Sequence, residues 1–277
     1  MNLVKQFLKK ISLFKPARML YRRLRNVPIH PLQNMPTADG LNLIHLGSEN
    51  CGWYFVDDSD LYGCTIVSAG LGEDASFDVE FAQKYDAKVI VVDPTPRAIQ
   101  HFKEIALNLG KKKSRDYGNT GKQPIDAYDL SNLSKKNLTL VEKALWNEST
   151  KLKFFEPVNP KHVSHSIVNF QHGYREDTSF IEVQATTLPE LLSELEIEPG
   201  DVSLVKLDIE GAEIEVLTYC ISQDIKPRQI LVEFDELNVP SSRGYERVDQ
   251  MHTMLSQNGY EMVRTDGQAD FLYLRRD

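Results

Sequence analysis

Cysteine is scarce in this chain: Cys51, Cys64 and Cys220 are the only three in 277 residues, and no two are neighbours in sequence. An odd number without close spacing excludes a disulfide framework and a thiolate metal site, so the three read as reduced, buried thiols. No stretch comes near the roughly 18 consecutive apolar residues of a membrane-spanning helix. The N-terminus lacks the continuous apolar core of a signal peptide, and the body of the protein is expected to be cytoplasmic. Acid is missing from residues 1–38, which carry Lys5, Lys9, Lys10, Lys15, Arg18, Arg22, Arg23 and Arg25. All 40 Asp and Glu therefore fall in the remainder, which has a balance of −16 within a net charge of −8. An acidic body disfavours duplex nucleic acid as a partner. No internal repeat is present.

What is there begins with an amphipathic pattern. Leu3, Val4, Phe7, Leu8, Ile11 and Phe14 recur at helical spacing opposite a basic face, and Pro16 ends or kinks the helix. Such a helix suits an interface with anionic lipid, peripheral on a membrane. It equally suits an arm docked on its own domain or on a partner subunit, as in a homo-oligomer. Pro28, Pro31 and Pro36 mark residues 26–40 as a linker. The expected division is an arm and linker over 1–40 and a single domain over 41–277.

From residue 41 strands and helices alternate. Short strands at 41–46 and 53–56 precede strand 64–69, helix 75–84, strand 88–92 and helix 96–109. The segment 111–136 is rich in Lys, Asn, Asp, Ser and Gly and reads as a surface insertion with little order of its own. Strand-like runs at 138–145, 151–156 and 180–185 flank an irregular stretch, 157–174, that bears His162 and His165. Helix 187–196, strand 202–208, helix 211–221, strand 229–234 and helix 243–257 follow. The chain closes with strands 260–265 and 269–275. Alternation predicts an α/β fold, a parallel sheet covered on both faces. Asp266-Gly267-Gln268 joins the last two strands too tightly for a crossover, so they pair antiparallel.

Three motifs lie where ligands meet such sheets, at the carboxyl ends of the strands. Gly70-Leu71-Gly72 follows the first main strand, where missing Cβ atoms let backbone N–H groups approach a ligand. A tight strand-to-helix turn is the plain reading of the same residues. Glu73 and Asp74 fit the start of the next helix, with Asp74 as its N-cap. Asp93 ends the second strand about twenty residues later, placed to take the two hydroxyls of a ribose, or to form a turn before Pro94. Asp208, Glu210 and Glu213 follow the strand Val202–Asp208, and the helix dipole alone accounts well for Glu213. It does not account for Lys206 inside that strand, which needs a charged partner: Glu233 or Asp208. His162 and His165 are candidate bases by their pKa range.

Lys206-Leu207-Asp208-Ile209-Glu210-Gly211-Ala212-Glu213 resembles the Lys-x-Asp-x-Glu-Gly-x-Glu signature of the FkbM family of S-adenosylmethionine-dependent methyltransferases. Thr187-Leu188 and Leu231-Val232-Glu233 stand in the order expected of that family, and the similarity covers roughly residues 60–275. Gly70–Asp78 with Asp93-Pro94-Thr95-Pro96 looks like a variant branch, with Ser68 in place of an acid two residues before the glycine. The resemblance implies a Rossmann-like class I fold with seven strands, mostly parallel, closed by an antiparallel C-terminal strand. It implies methyl transfer from S-adenosylmethionine to a hydroxyl of a sugar, glycan or related natural product. By the same resemblance the methionine end of the cofactor lies against Ser68, Gly70 and Gly72, and the ribose on Asp93. The adenine lies near Thr95, Ala144 and Leu145, and Asp208 faces the methyl group or its acceptor. Asp208, Glu210 and His165, in that order, are the candidate general bases. A divalent ion on Asp208, Glu210 and Glu233 is a further option, not favoured because carboxylates alone do not mark a metal site. The alternatives are an NAD-dependent oxidoreductase using the same glycines and Asp93, an RNA ribose methyltransferase, and a non-catalytic binding protein that retains the fold.

Overall fold

The structure is a computed structural model, and it describes residues 28–155, 167, 178–238 and 240–276. The expected amphipathic helix at 3–14 lies outside the described residues.

Seven strands form the central sheet. In chain order they are β3 (Thr65–Ala69), β4 (Lys88–Val92), β5 (Leu138–Val141), β9 (Val202–Leu207), β10 (Gln229–Glu233), β11 (Tyr260–Thr265) and β12 (Asp270–Arg275). Their order in space is β11-β12-β10-β9-β3-β4-β5. The five strands from β10 to β5 are mutually parallel, while β12 is antiparallel to both β10 and β11. From β3 the chain builds outward to β4 and β5, then returns to β9 on the other side and builds to β10. The order reverses between β3 and β9, and this is where an open α/β sheet leaves a crevice. The seven-stranded, mostly parallel sheet with its inserted antiparallel strand is the class I methyltransferase arrangement.

Central strands read as apolar runs because both their faces are covered. One face carries Val67, Val205 and Val232 against α3 (Leu188–Glu194), α4 (Glu213–Ser222) and α5 (Ser242–Gln257). The opposite face carries Ile66, Leu204 and Leu231 against α1 (Ser76–Tyr85) and α2 (Pro96–Leu107). A hairpin of β1 (Leu43–Leu46) and β2 (Trp53–Val56) closes that second layer. Buried Gln229 pins it to the sheet, its amide exchanging hydrogen bonds of 2.9 Å with the backbone N and O of Val56. A small third sheet, β6-β8-β7, comprises β6 (Ala144–Leu145), β7 (Lys151–Phe155) and β8 (Phe180–Thr186). The single strand expected over 138–145 is thus two, β5 and β6, which serve different sheets.

Two expected loops are ordered parts of the body. Within the expected linker, His30, Leu32 and Gln33 are buried, and Ala38 N donates to Val263 O at 2.8 Å. The segment 111–136 is likewise fixed. Tyr128, Leu130 and Leu133 are buried in the α1/α2 layer, and buried Gln123 donates to Asp74 at 2.9 Å. Its polar composition hid these anchors. Asp74 itself is not the N-cap of α1; that position is Ala75. Its carboxylate still accepts from the first helical amide, Ser76 N, at 3.0 Å.

Leu231 is fully buried at the centre of β10. Leu231→Ala is expected to lower unfolding free energy by about 2–5 kcal/mol, read as a reduced urea midpoint at unchanged slope.

Candidate active site

The glycine loop is shaped by what lies beside it. A Cβ on Gly70 would sit 1.8 Å from the carbonyl oxygen of Asp208, and Gly70 has φ +87. Both facts demand glycine. Asp208 N donates to Ala69 O at 3.1 Å, so the chain leaving β9 runs directly over the end of β3. Lys206 completes the junction. Its side chain is 4% exposed, and Nζ donates to Gly70 O at 2.8 Å and to Ala69 O at 3.4 Å. The ring of Trp53 lies 5.8 Å from the same ammonium. The expected ion pair with Glu233 or Asp208 is not formed: among the described residues Lys206 has no carboxylate oxygen within 4.0 Å. Backbone carbonyls of the loop take its charge instead, because β3 is the nearer neighbour of the Nζ.

The turn after β9 is held by its own last acid. Buried Glu213 accepts from Ile209 N at 2.8 Å and from Gly211 N at 3.0 Å. That clamp keeps Glu210 at φ +56, a left-handed conformation that costs a non-glycine residue about 1 kcal/mol or more. Burial pushes the Glu213 carboxyl well above the ordinary range, against the backbone amides of Glu213 and Ile209 that pull it down.

Asp93 plays the matching part for the glycine loop. One carboxylate oxygen accepts from Leu71 N at 2.9 Å and Gly72 N at 3.1 Å. The other accepts from Thr95 N at 2.8 Å and Thr95 Oγ1 at 2.6 Å. Four donors fill both oxygens. A ribose hydroxyl would have to displace one of them, and the Thr95 hydroxyl is the one free to rotate.

These residues surround a cavity of about 300 Å³. Gly70, Gly72, Asp93, Thr95, Ala144, Leu145, Asp208 and Glu210 all line it, so the sequence-predicted site residues converge. Ser68 does not; it is buried under the cavity, facing the α1 layer. His165 and His162 lie outside the described residues. The sequence reading missed Asn50 and Cys51 from the hairpin turn, Asp78 from α1, and Leu152, Phe154 and Ile167 on the third-sheet side. Asp78 was detectable: it shares the stripe of Phe81, Ala82 and Tyr85 on α1, where an acid has no packing reason to be.

Glu233 lines the cavity beside Asp208. Register pairs Leu207 with Val232, so Asp208 and Glu233 leave adjacent parallel strands side by side. Their carboxyls act on each other electrostatically, and Asn238 Nδ2 donates to Glu233 Oε1 at 2.6 Å. Burial first, and the charge of Asp208 second, hold the Glu233 carboxyl well above the usual range. Among the described residues no three His, Cys, Asp or Glu side chains converge as a metal site.

The FkbM methyltransferase domain matches residues 62–262 of this sequence. The chain belongs to the FkbM methyltransferase family. It is an S-adenosylmethionine-dependent methyltransferase. No curated protein matches the chain. Solved structures that resemble it include precorrin-6y C5,15-methyltransferase from Geobacter metallireducens GS-15, at 12% identity and TM-score 0.40, covering 79% of this chain and 85% of that one. The Methanococcus jannaschii fibrillarin pre-rRNA processing protein gives 8% and 0.38, covering 87% and 85%. A 16S rRNA (adenine(1408)-N(1))-methyltransferase from Catenulisporales acidiphilia, solved with cosubstrate SAM, gives 12% and 0.33, covering 86% and 98%.

The cavity suits that cofactor. Its volume falls in the small-molecule range, its glycine wall offers close backbone approach, and Ala144, Leu145, Leu152 and Ile167 make an apolar side for a planar base.

The Glu213 clamp yields a pH-dependent prediction. A carboxyl whose folded value lies above its unfolded one binds more protons in the folded state, so its contribution falls as pH rises. Below the ordinary glutamate range both states hold the proton and the contribution is complete. The stability advantage of wild type over Glu213→Gln should be about 1–3 kcal/mol in mild acid. It should shrink steadily toward neutral and alkaline pH, as measured by urea unfolding across that range.

Proposed function

We propose that this methyltransferase methylates a hydroxyl oxygen of a sugar, glycan or related natural product. The observation that carries the reading is the Asp208–Glu233 carboxyl pair at the cavity wall, beside the glycine loop. When bound, S-adenosylmethionine supplies a methyl group already activated by its sulfonium. The protein's task is then alignment of an acceptor and removal of its proton. Asp208 takes the hydroxyl proton as the new carbon–oxygen bond forms and the carbon–sulfur bond breaks. Glu233, which keeps its proton, donates to Asp208 and fixes its orientation. Glu210 and His165 are the next candidates for the base. Asp93 and Thr95 hold the ribose, Ala144 and Leu145 pack on the base, and Gly70 and Gly72 give the methionine end close backbone approach.

The reading is tested by calorimetry and by mass spectrometry. Wild type should bind S-adenosylhomocysteine and not NAD, and Asp93→Ala should lose that binding. Methyl transfer should be found within a panel of free sugars, glycans and lipid-linked glycans. Asp208→Asn should slow it by about 10²–10⁴-fold while leaving S-adenosylhomocysteine affinity within a few-fold. Cofactor binding with transfer only to nitrogen or carboxylate acceptors overturns the hydroxyl assignment.

The basic, acid-free N-terminal residues support a peripheral place on the cytoplasmic face of a membrane. Full-length protein should co-sediment with phosphatidylserine-containing vesicles at low salt and be released at high salt. Deleting residues 1–25 should abolish the pelleting; unchanged pelleting removes the idea.

A further inference from the structure

Three acids of the cavity wall take no part in the mechanism; Glu73 is paired with Arg97 and Lys122 and Asp74 accepts from Ser48, Ser76 and Gln123, which leaves Asp78. It sits in the first turn of α1, 2% exposed, and lines the cavity. Among the described residues its Oδ1 and the Oγ of Ser68 have no partner within 3.5 Å, and the two lie close enough to act on each other. Ser68 is the register neighbour of Lys206 across the β3–β9 pair, and both side chains face the α1 layer. Lys206 acts on Asp78 electrostatically but forms no ion pair with it within 4.0 Å. Burial raises the carboxyl above its ordinary value, and the charge of Lys206 only partly offsets this. A buried acceptor of this kind is costly unless a donor, best a cation, completes it.

The local charges define that donor. Acid stands at Asp78 and base at Lys206, whose Nζ has two of its three N–H groups on loop carbonyls and a third left for an anion. An ammonium and a carboxylate on one carbon match this pair. We infer that Asp78 receives the α-ammonium of the cofactor's methionine end, doing from helix α1 what a carboxylate at position 68 of β3 would do. The inference rests on the cofactor assignment above and adds the residue that reads the amino group.

The test compares S-adenosylhomocysteine with its analogue in which hydrogen replaces the amino group. Wild type should bind the parent about 10- to 100-fold more tightly, the range of a charge-assisted hydrogen bond. Asp78→Asn should weaken binding of the parent and not of the analogue, so that the ratio falls toward one. A melting temperature at or above that of wild type verifies the fold of the variant. If Asp78→Asn does not fold, Asp78→Ser takes its place. Equal binding of the two ligands by wild type overturns the proposal, as does equal weakening of both in the variant. Failure of wild type to bind S-adenosylhomocysteine at all overturns the cofactor assignment, and this inference with it.

Discussion

The site depends on one close approach: the backbone of Asp208 passing over Gly70, with no room for a single Cβ between them. β3 and β9 are where the strand order reverses, so no crossover connection fills the space above them. The Asp208 amide and the Lys206 ammonium both bond to the end of β3, which binds the glycine loop and the acidic turn into one rigid rim. Every residue that follows in the signature inherits its position from that contact. A buried lysine is costly, and here it is satisfied by the carbonyls of Ala69 and Gly70 at the end of β3.

The acids around the cavity divide into two groups. Asp93 and Glu213 each hold backbone N–H groups that no strand or helix can satisfy, and by doing so they set the shapes of the two loops. Asp74 does the same across the hairpin, the insertion and α1, accepting from Ser48 Oγ at 2.8 Å as well as from Gln123 and Ser76. These carboxylates are scaffolding. Asp78, Asp208 and Glu233 are different, since their oxygens are not filled by loop amides.

This division explains what was legible in the sequence. Strand-helix alternation and the Asp266–Gln268 turn foretell the sheet and its antiparallel strand, because period and turn chemistry are local properties. The rim residues are legible too, since a glycine loop, an acid and a signature fall at successive strand ends. Their bonding is not. Lys206 in an apolar strand announces a partner, but whether that partner is a carboxylate or a carbonyl depends on which strand lies alongside. The order of segment 111–136 is hidden for the same reason: Gln123 and Tyr128 are polar residues whose partners, Asp74 and His101, come from other elements. Sequence pattern reports what a residue needs, and tertiary packing decides who supplies it.

The placement of carboxyls also bears on how the site works once it is filled. Cavity walls from β6, β7 and residue 167 are apolar: Ala144, Leu145, Leu152, Phe154 and Ile167. A ligand against that wall expels water, and every remaining electrostatic interaction strengthens as the effective dielectric falls. The acids at the rim then lie opposite a surface that offers no competing charge. Burial and the neighbouring Asp208 both raise the Glu233 carboxyl, so the pair resists carrying two adjacent anions in a dry cavity. The proposed base and its partner stand side by side because the strand register that places them follows from the parallel pairing of β9 with β10. The acid–base arrangement is thus a consequence of sheet topology before it is a property of any single side chain.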